Sequence, residues 1–317
     1  MNHFLVTGGA GFIGSHLCDA LLRRGDVVAC LDDFNDYYDP QRKEKNVAPL
    51  LASSNFTLVR GDIRNAQTVA NAFEAFKPTH VAHLAAMAGP RPSIQKPLLY
   101  EDVNVHGTTV LLEASVKFGV KSFFLASTSS VYGRSPTPWN ENALTDKPLS
   151  PYAATKKSAE VIAHAFHSAH GLPTKIARFF TVYGPKGRPD MTPHLFVDAM
   201  VKRQPITLFE GGHGVFRDWT YVDDIVAGVV AALDYDAGYE IFNLGNSQPV
   251  ELIEFVKTLE RVTGLEATIE SKPLPAADPP TTYADTAKAK TLLGFEPHTP
   301  LETGLTNFWS WYQSMNL

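Results

Sequence analysis

The segment Val6-Thr7-Gly8-Gly9-Ala10-Gly11-Phe12-Ile13-Gly14, set between the apolar run "HFLV" and the amphipathic stretch "SHLCDALLRRG", constrains this chain more than any other feature. Gly8, Gly11 and Gly14 stand three apart at a strand-to-helix junction. A tight turn, the close approach of a pyrophosphate and helix–strand packing each need a residue without a side chain. The helix N-terminus then offers unbonded N–H groups and a favourable dipole to an anion. A glycine trio by itself also fits a plain turn. Here Asp32 and Asp33 follow at the end of a second strand, about 20 residues on, where a carboxylate bonds the hydroxyls of an adenosine ribose. Such an acid repels the extra phosphate of NADP, so NAD is the expected cofactor. The other reading of Asp32 is a helix cap ahead of "YYDPQRKEK".

Short β-branched or aromatic runs alternate with helix-period segments through the first half. "HFLVTG", "VVACLDD", "FTLVRGD", "THVAHLA", "SFFLAS" and "PTKIARFF" read as strands; "GSHLCDALLRRG", "AQTVANAFEAF" and "VNVHGTTVLLEASVKFG" read as helices. This alternation predicts βαβ units and an α/β fold with a doubly wound parallel sheet, a Rossmann domain. After Thr181 the rhythm changes: Pro185, Pro189, Pro193 and Pro205, then "SKPLPAADPP" at 271–280, punctuate shorter elements. "YVDDIVAGVVAALDY" reads as a helix returning to the first domain. The expected division is 1–181 plus 220–247 for the NAD-binding domain, and 182–219 plus 248–317 for a smaller α/β substrate-binding lobe.

At 317 residues, 44% hydrophobic and 19% charged, the composition is that of an ordinary globular protein with a sizeable core. A net charge of −5 gives no reason to expect a nucleic-acid partner. No stretch approaches the roughly 20 apolar residues of a membrane span, and glycines interrupt any signal-peptide core at the start. No metal-ligand cluster stands out. Cys18 and Cys30 sit inside apolar periodic segments and read as inert buried thiols, which fits a reducing cytoplasm.

"SPYAATKKSAE" carries Tyr152 and Lys156, four apart and so on one helix face. A phenol with a pKa of about 10 is a poor base at neutral pH. An ammonium one turn away is expected to favour the phenolate and lower that pKa. "KSFFLA" leads directly into "STSSVYG" (127–133), a row of four hydroxyls with no acid among them. A polar row at a strand end is either a solvated turn or a holder of a polar ligand. His83 reads as a core histidine rather than a catalyst.

In order and spacing, "TGGAGFIG", "HLAA", "STSSVYG", "YAATK", "RFFTVYGP", "RDWTYVDD" and "TYAD" resemble the extended short-chain dehydrogenase/reductase family, in its nucleotide-sugar branch. The resemblance covers nearly the whole chain. It implies an NAD that removes hydride from a sugar carbon and returns it, with Tyr152, Lys156 and Thr128 catalytic. To the cofactor it assigns Gly8, Gly11, Phe12, Ile13, Gly14, Asp32, Asp33 and Asn35. It adds Asp62, Ile63, Leu84, Ala85, Ala86, Asn104, Ser127 and Phe180, besides Tyr152 and Lys156.

The branch contains dehydratases, decarboxylases, reductases and epimerases. Its 4,6-dehydratases carry an Asp-Glu pair where this chain has Ser129 and Ser130, and UDP-xylose-forming decarboxylases usually carry a Glu where Ser130 stands. Epimerisation is what the resemblance leaves. "DDFNDYYDPQRKEKN" and "RFFTVYGPKGRPDM" are similar to the insertion and the later stretch of UDP-glucuronate 4-epimerases. A substrate carboxylate calls for charge-assisted donors, so Ser129, Ser130, Thr181 and Arg188 are expected around it. For Arg188 a solvated loop charge or a diphosphate contact is the other reading. Arg217 resembles the diphosphate-binding arginine of the family, Phe209 offers a ring to the uracil, and Asp278, in "PLPAAD", resembles an aspartate of the family. Relatives often carry a polar or basic residue near Ala276, a departure that puts one diphosphate contact in question. Arg91, in "AGPRPS", is a further substrate candidate. Left open are a 4-epimerase of neutral UDP-sugars, a UDP-glucuronate decarboxylase, and a non-catalytic NAD-binding regulator. The resemblance also implies a homodimer through "PLLYEDVNVHGTTVLLEASVKF" and "YAATKKSAEVIAHAFHSAH".

Overall fold

The computed structural model describes residues 2–275 and 278–315. Its centre is a parallel sheet of seven strands. Six come from the first half: β1 (His3–Thr7), β2 (Val27–Asp32), β3 (Phe56–Arg60), β4 (His80–His83), β5 (Ser122–Thr128) and β6 (Thr174–Phe179). Three strands outside the sheet follow, β7 (Thr181–Tyr183), β8 (Ile206–Phe209) and β9 (Phe216–Tyr221), before β10 (Tyr239–Leu244) returns to it. The spatial order β3-β2-β1-β4-β5-β6-β10 reverses direction between β1 and β4. In such a sheet, ligands bind where the order reverses, beyond the carboxyl ends of the strands.

Each of the six expected strands is present. The helices of this half are α1 (Phe12–Arg23), α2 (Pro40–Val47), α3 (Ala66–Phe76), α4 (Pro90–Gln95), α5 (Pro97–Glu101), α6 (Gly107–Lys117) and α7 (Pro151–His170). Further on come α8 (Thr192–Val201) and α9 (Val222–Asp234). Side chains alternate across the sheet, as the two-residue period of a strand requires. Phe4 and Val6 join Leu17 and Leu21 of α1 and Ile225 and Val229 of α9 on one face. Leu5 joins Val69 and Phe73 of α3, Leu111 of α6 and Ala159 of α7 on the other. Burial on both faces explains why β5 and β6 are wholly buried, β6 enclosing Lys175 and Arg178 along with its apolar side chains. Local chemistry sets the helix ends. Ser150 caps α7 by accepting from the Ala153 amide at 3.2 Å, ahead of Pro151, and Gly171 closes it in the left-handed conformation.

One expected helix differs. The run 97–118 is not a single α-helix: α5 and α6 are separated by a π turn over Asp102–His106. Asn104, in that turn, accepts from Met87 N at 2.8 Å and donates to Met87 O at 2.9 Å and Thr155 Oγ1 at 3.1 Å. The added residue fits this bracket, which no hydrophobic periodicity announces.

The remaining elements are β11 (Pro249–Glu251), α10 (Leu252–Thr263), β12 (Ile269–Lys272), α11 (Ala287–Leu293) and α12 (Leu301–Met315). β9 pairs parallel with β7 and antiparallel with β11, while β8 pairs with β12. Trp219 stacks on Phe255 at 4.2 Å between ring centres. Among the described residues no helix is long and apolar enough to cross a membrane.

Candidate active site

A cleft of about 530 Å³ runs along the carboxyl ends of β1, β2, β4, β5 and β6. One half is built from backbone. Gly8 has φ +69°, and a Cβ there would lie 2.7 Å from Ala85 N; a Cβ on Gly14 would lie 2.1 Å from Gly8 O. These two glycines are required by packing within the protein. Gly11, by contrast, heads α1 with no side-chain cap, so the first amides of the helix, at Phe12, Ile13 and Gly14, stay available on the cleft wall. An uncapped helix start behind a glycine turn fits a pyrophosphate.

Asp32 is buried at the end of β2. Its Oδ2 accepts from Ala10 N at 3.1 Å and its Oδ1 from Phe34 N at 2.9 Å, so the carboxylate also braces the glycine turn. Burial pushes its carboxyl up, against Lys43 and these two amides. Asp33 is the exposed partner and accepts from Asn35 N at 3.0 Å and Asn35 Nδ2 at 2.7 Å. Burial alone would raise Asp62, but its bonds from Arg64 hold the carboxyl below the usual range. Ile63, Leu84, Ala85, Ala86 and Phe180 line the same wall.

The other half is built from side chains. Tyr152 and Lys156 lie one turn apart on α7, and both line the cleft with Ser127, Thr128, Ser129 and Ser130. Burial raises the Tyr152 phenol, while its hydrogen bond with Thr128 and the charge of Arg188 pull it down. The expected lowering by Lys156 is therefore corrected on two counts. Burial outweighs the favourable neighbours, and those neighbours are Thr128 and Arg188. Lys156 is itself brought down to about 8 by burial, with Glu160 opposing. Thr128 Oγ1 donates to Ser130 Oγ and accepts from Ser130 N, both at 3.2 Å.

Thr181, Arg188, Arg91 and Asp278 also reach the cleft. Arg188 does not offer its whole fork. Nε and Nη2 donate to Asp190 at 2.9 and 2.6 Å, and the guanidinium lies 5.3 Å from the centre of the Tyr37 ring. Arg91 donates to Asp278 at 2.8 Å and lies over Phe209 at 4.9 Å. Arg217 donates to the Phe216 and Pro280 carbonyls at 2.8 and 3.0 Å. Phe209, Arg217 and Asn104 are not in the cleft wall: Phe209 lies under Arg91, Arg217 is within the electrostatic reach of Asp278, and Asn104 braces Met87 of the loop after β4. The Ser127 hydroxyl is turned away too, donating to Glu160 at 2.6 Å. Ala276 lies outside the described residues.

Sequence reasoning passed over Tyr37, Tyr38, Lys43 and Asp190, which all line the cleft. Tyr37 donates to Ala88 O at 2.8 Å and Asp190 at 3.1 Å, and buried Lys43 donates to Asn35 O at 3.0 Å. The signal was the insertion "DDFNDYYDPQRKEKN", whose aromatic and basic residues return to the site. His83 is fully buried between the hydroxyls of Thr7 and Thr108, at 2.7 and 2.9 Å. Both cysteines are free and buried. Among the described residues no cluster of His, Cys, Asp or Glu is arranged to hold a metal.

A family model described as GDP-mannose 4,6 dehydratase matches residues 5–308. A UDP-glucuronate 4-epimerase of Thermodesulfobacterium geofontis is 43% identical over 98% of this chain and 96% of its own. UDP-glucuronate 4-epimerase 3 of Arabidopsis thaliana is 44% identical over 97% of this chain and 76% of its own length. A UDP-glucuronic acid 4-epimerase from Bacillus cereus, solved with UDP-glucuronic acid and NAD, matches with TM-score 0.93 at 37% identity, covering 99% of both chains.

Proposed function

Since the chain belongs to the extended short-chain dehydrogenase/reductase family, in its nucleotide-sugar branch, we propose that it is an NAD-dependent isomerase interconverting UDP-glucuronate and UDP-galacturonate at carbon 4. The observation that carries this reading is the hydroxyl row Thr128-Ser129-Ser130 facing Tyr152 in one cleft, where no carboxylate replaces Ser129 or Ser130. The matching family model bears a dehydratase's description, but the acids that resemblance associates with dehydration are absent from that row.

The α1 amides and the acids after β2 would hold NAD, which would supply the acceptor for hydride from carbon 4 and its return to the other face. Tyr152, bonded to Thr128, takes the proton of the 4-hydroxyl and gives it back. Lys156 supplies a buried cation beside it. The 4-keto sugar is a β-keto acid, prone to lose carbon dioxide. Ser129, Ser130 and Thr181, with Arg188 exchanging Asp190 for the substrate, hold the carboxylate out of line with the carbonyl π system. The uridine diphosphate lies between Arg91 and the lobe formed by 182–219 and 248–317, which carries Phe209, Arg217 and Asp278.

The deciding experiment is incubation with UDP-glucuronate and no added NAD. Expected is a product of unchanged mass with inverted carbon 4 and no carbon dioxide; a pentose product, or turnover of UDP-glucose alone, would sink the reading. Ser130→Glu or Thr181→Ala should raise carbon dioxide release relative to epimer; an unchanged ratio refutes the carboxylate-holding role. We also propose a homodimer through α5, α6 and α7, supported by Leu98 and Val161, 81% and 56% exposed on these helices. Light scattering of Leu98→Glu checks it, a monomer being expected. A reducing cytoplasmic setting fits the two free thiols, and cell fractionation tests it.

A further inference from the structure

Directly behind the hydroxyl row lies a buried ionic network that the reaction as drawn does not use. Glu160 follows Lys156 by one turn of α7, and Arg178 stands on β6; each is 1% exposed. Arg178 donates from Nε and Nη2 to the two oxygens of Glu160, at 2.9 and 2.8 Å. The same carboxylate accepts from Ser127 Oγ, at the end of β5, at 2.6 Å, and from Lys157 at 3.2 Å. Arg178 Nη1 continues to the Tyr132 hydroxyl at 3.0 Å, and Tyr132 donates to Asn243 Oδ1 at 2.7 Å. Ser127 and Tyr132 bracket Thr128, Ser129 and Ser130 in the chain. The network therefore ties both ends of the hydroxyl row to the helix that carries Tyr152 and Lys156.

We infer that Glu160, clamped by Arg178, is a positioning residue for the reaction: it fixes the end of β5 against α7, so that Thr128 meets Tyr152, and it keeps a negative charge one turn beyond Lys156. The inference rests on the reading of Tyr152, Thr128 and Lys156 as the catalytic group.

A buried ion pair is often no more stable than an apolar pair of similar size, so stability alone does not account for it. Its placement does more. Burial drives Lys156 toward the neutral amine, and Glu160 opposes it. Also near Lys156 are Tyr152, one turn back on α7, and His83 of β4, fully buried and held neutral, in part by Lys156 itself. Facing Glu160 are Arg178, Lys157 and, from β10, Tyr239, whose phenol burial and then Glu160 raise to about 12. Loss of the Glu160 charge thus disfavours the Lys156 ammonium, and the alkaline limb of activity moves to lower pH.

Three variants, assayed on UDP-glucuronate across pH, test the proposal. Glu160→Gln removes the charge and keeps an acceptor for Ser127. Its alkaline limb is expected to move to lower pH, with kcat reduced by about 10²-fold, the scale of a misplaced catalytic group. Glu160→Leu with Arg178→Met replaces the pair by apolar side chains and is expected to fold, as circular dichroism and melting will report. It should show the same shifted limb and low kcat. Ser127→Ala leaves the ion pair intact; kcat should fall with the limb in place. Wild-type kcat and pH profile in a folded Glu160 variant, or wild-type kcat in Ser127→Ala, would overturn the inference. Tyr152→Phe separates the two readings. If it is fully active the catalytic assignment itself fails, whereas inactivity beside wild-type Glu160 variants removes this proposal alone.

Discussion

The two halves of the cleft are made differently. The dinucleotide half is a matter of backbone: glycines where a Cβ would strike Gly8 O or Ala85 N, and helix amides left uncapped at Gly11. The sugar half is a matter of side chains drawn from distant parts of the chain, such as Tyr37 and Asp190 meeting across 153 positions, or Arg91 and Asp278 across 187. A backbone site tolerates little and does one thing. A side-chain site can be retuned, and on the function proposed above Ser129 and Ser130 are where it sets the reaction.

The comparison predicts that damage will stay within each half. The largest effect belongs to Tyr152→Phe: kcat should fall by about 10²- to 10⁴-fold, the usual range for a lost general acid–base group. Co-purified NAD should be unchanged. Loss of both together would show that the halves are not separable. Gly14→Ala should do the reverse. Its Cβ would meet Gly8 O at 2.1 Å and Gly9 Cα at 2.8 Å, so α1 must shift on its turn. Overpacking of this kind costs about 1–3 kcal/mol, read as a lower Tm and lost NAD, with the Tyr152 site intact.

Lys156 joins the halves, and its titration distinguishes stability from activity. Its folded pKa, about 8, lies below the ordinary 10.5. Between these values the unfolded chain binds a proton that the folded chain does not, so this group's contribution to stability rises with pH. Activity that needs the ammonium falls over the same window. Thermal melts and initial rates measured together from pH 7 to 10 should diverge for the wild type, and the melting contribution should vanish in Lys156→Met. Parallel curves would mean that Lys156 is not the group titrating.

Much of the fold was legible because the sheet is covered on both faces. β1 and β2, buried along nearly their whole length, are near-continuous apolar runs, and the glycine turn follows the first of them. Tyr152 and Lys156 were legible from a spacing of four on one helix. Tyr37, Lys43 and Asp190 were not, since their roles depend on an insertion folding back over the β2 end, which no local period encodes. Glu160 and Arg178 escaped for a related reason: each sits in an unremarkable run, and only the parallel registry of β5 with β6, Ser127 against Arg178, brings them together. The phenol's environment was misjudged because burial is a property of the assembled cleft, and it outweighs a neighbour inferred from spacing.

The smallest expected effect is at the mouth, where the sugar half meets solvent. Arg91, with its side chain 62% exposed, bridges from the start of α4 to Asp278. Exposed ion pairs contribute about 0–1 kcal/mol, so Arg91→Ala should leave kcat alone and raise KM by less than about fivefold. If that rise comes from a lost bridge to Asp278, Asp278→Asn will match it and the double variant will add nothing further. If Arg91 instead contacts the nucleotide phosphates, its effect will exceed that of Asp278→Asn, the two will add, and it will shrink with salt. KM for UDP-glucuronate at low and high ionic strength decides between them. The answer fixes whether the mouth belongs to the adaptable half of the cleft or only closes it.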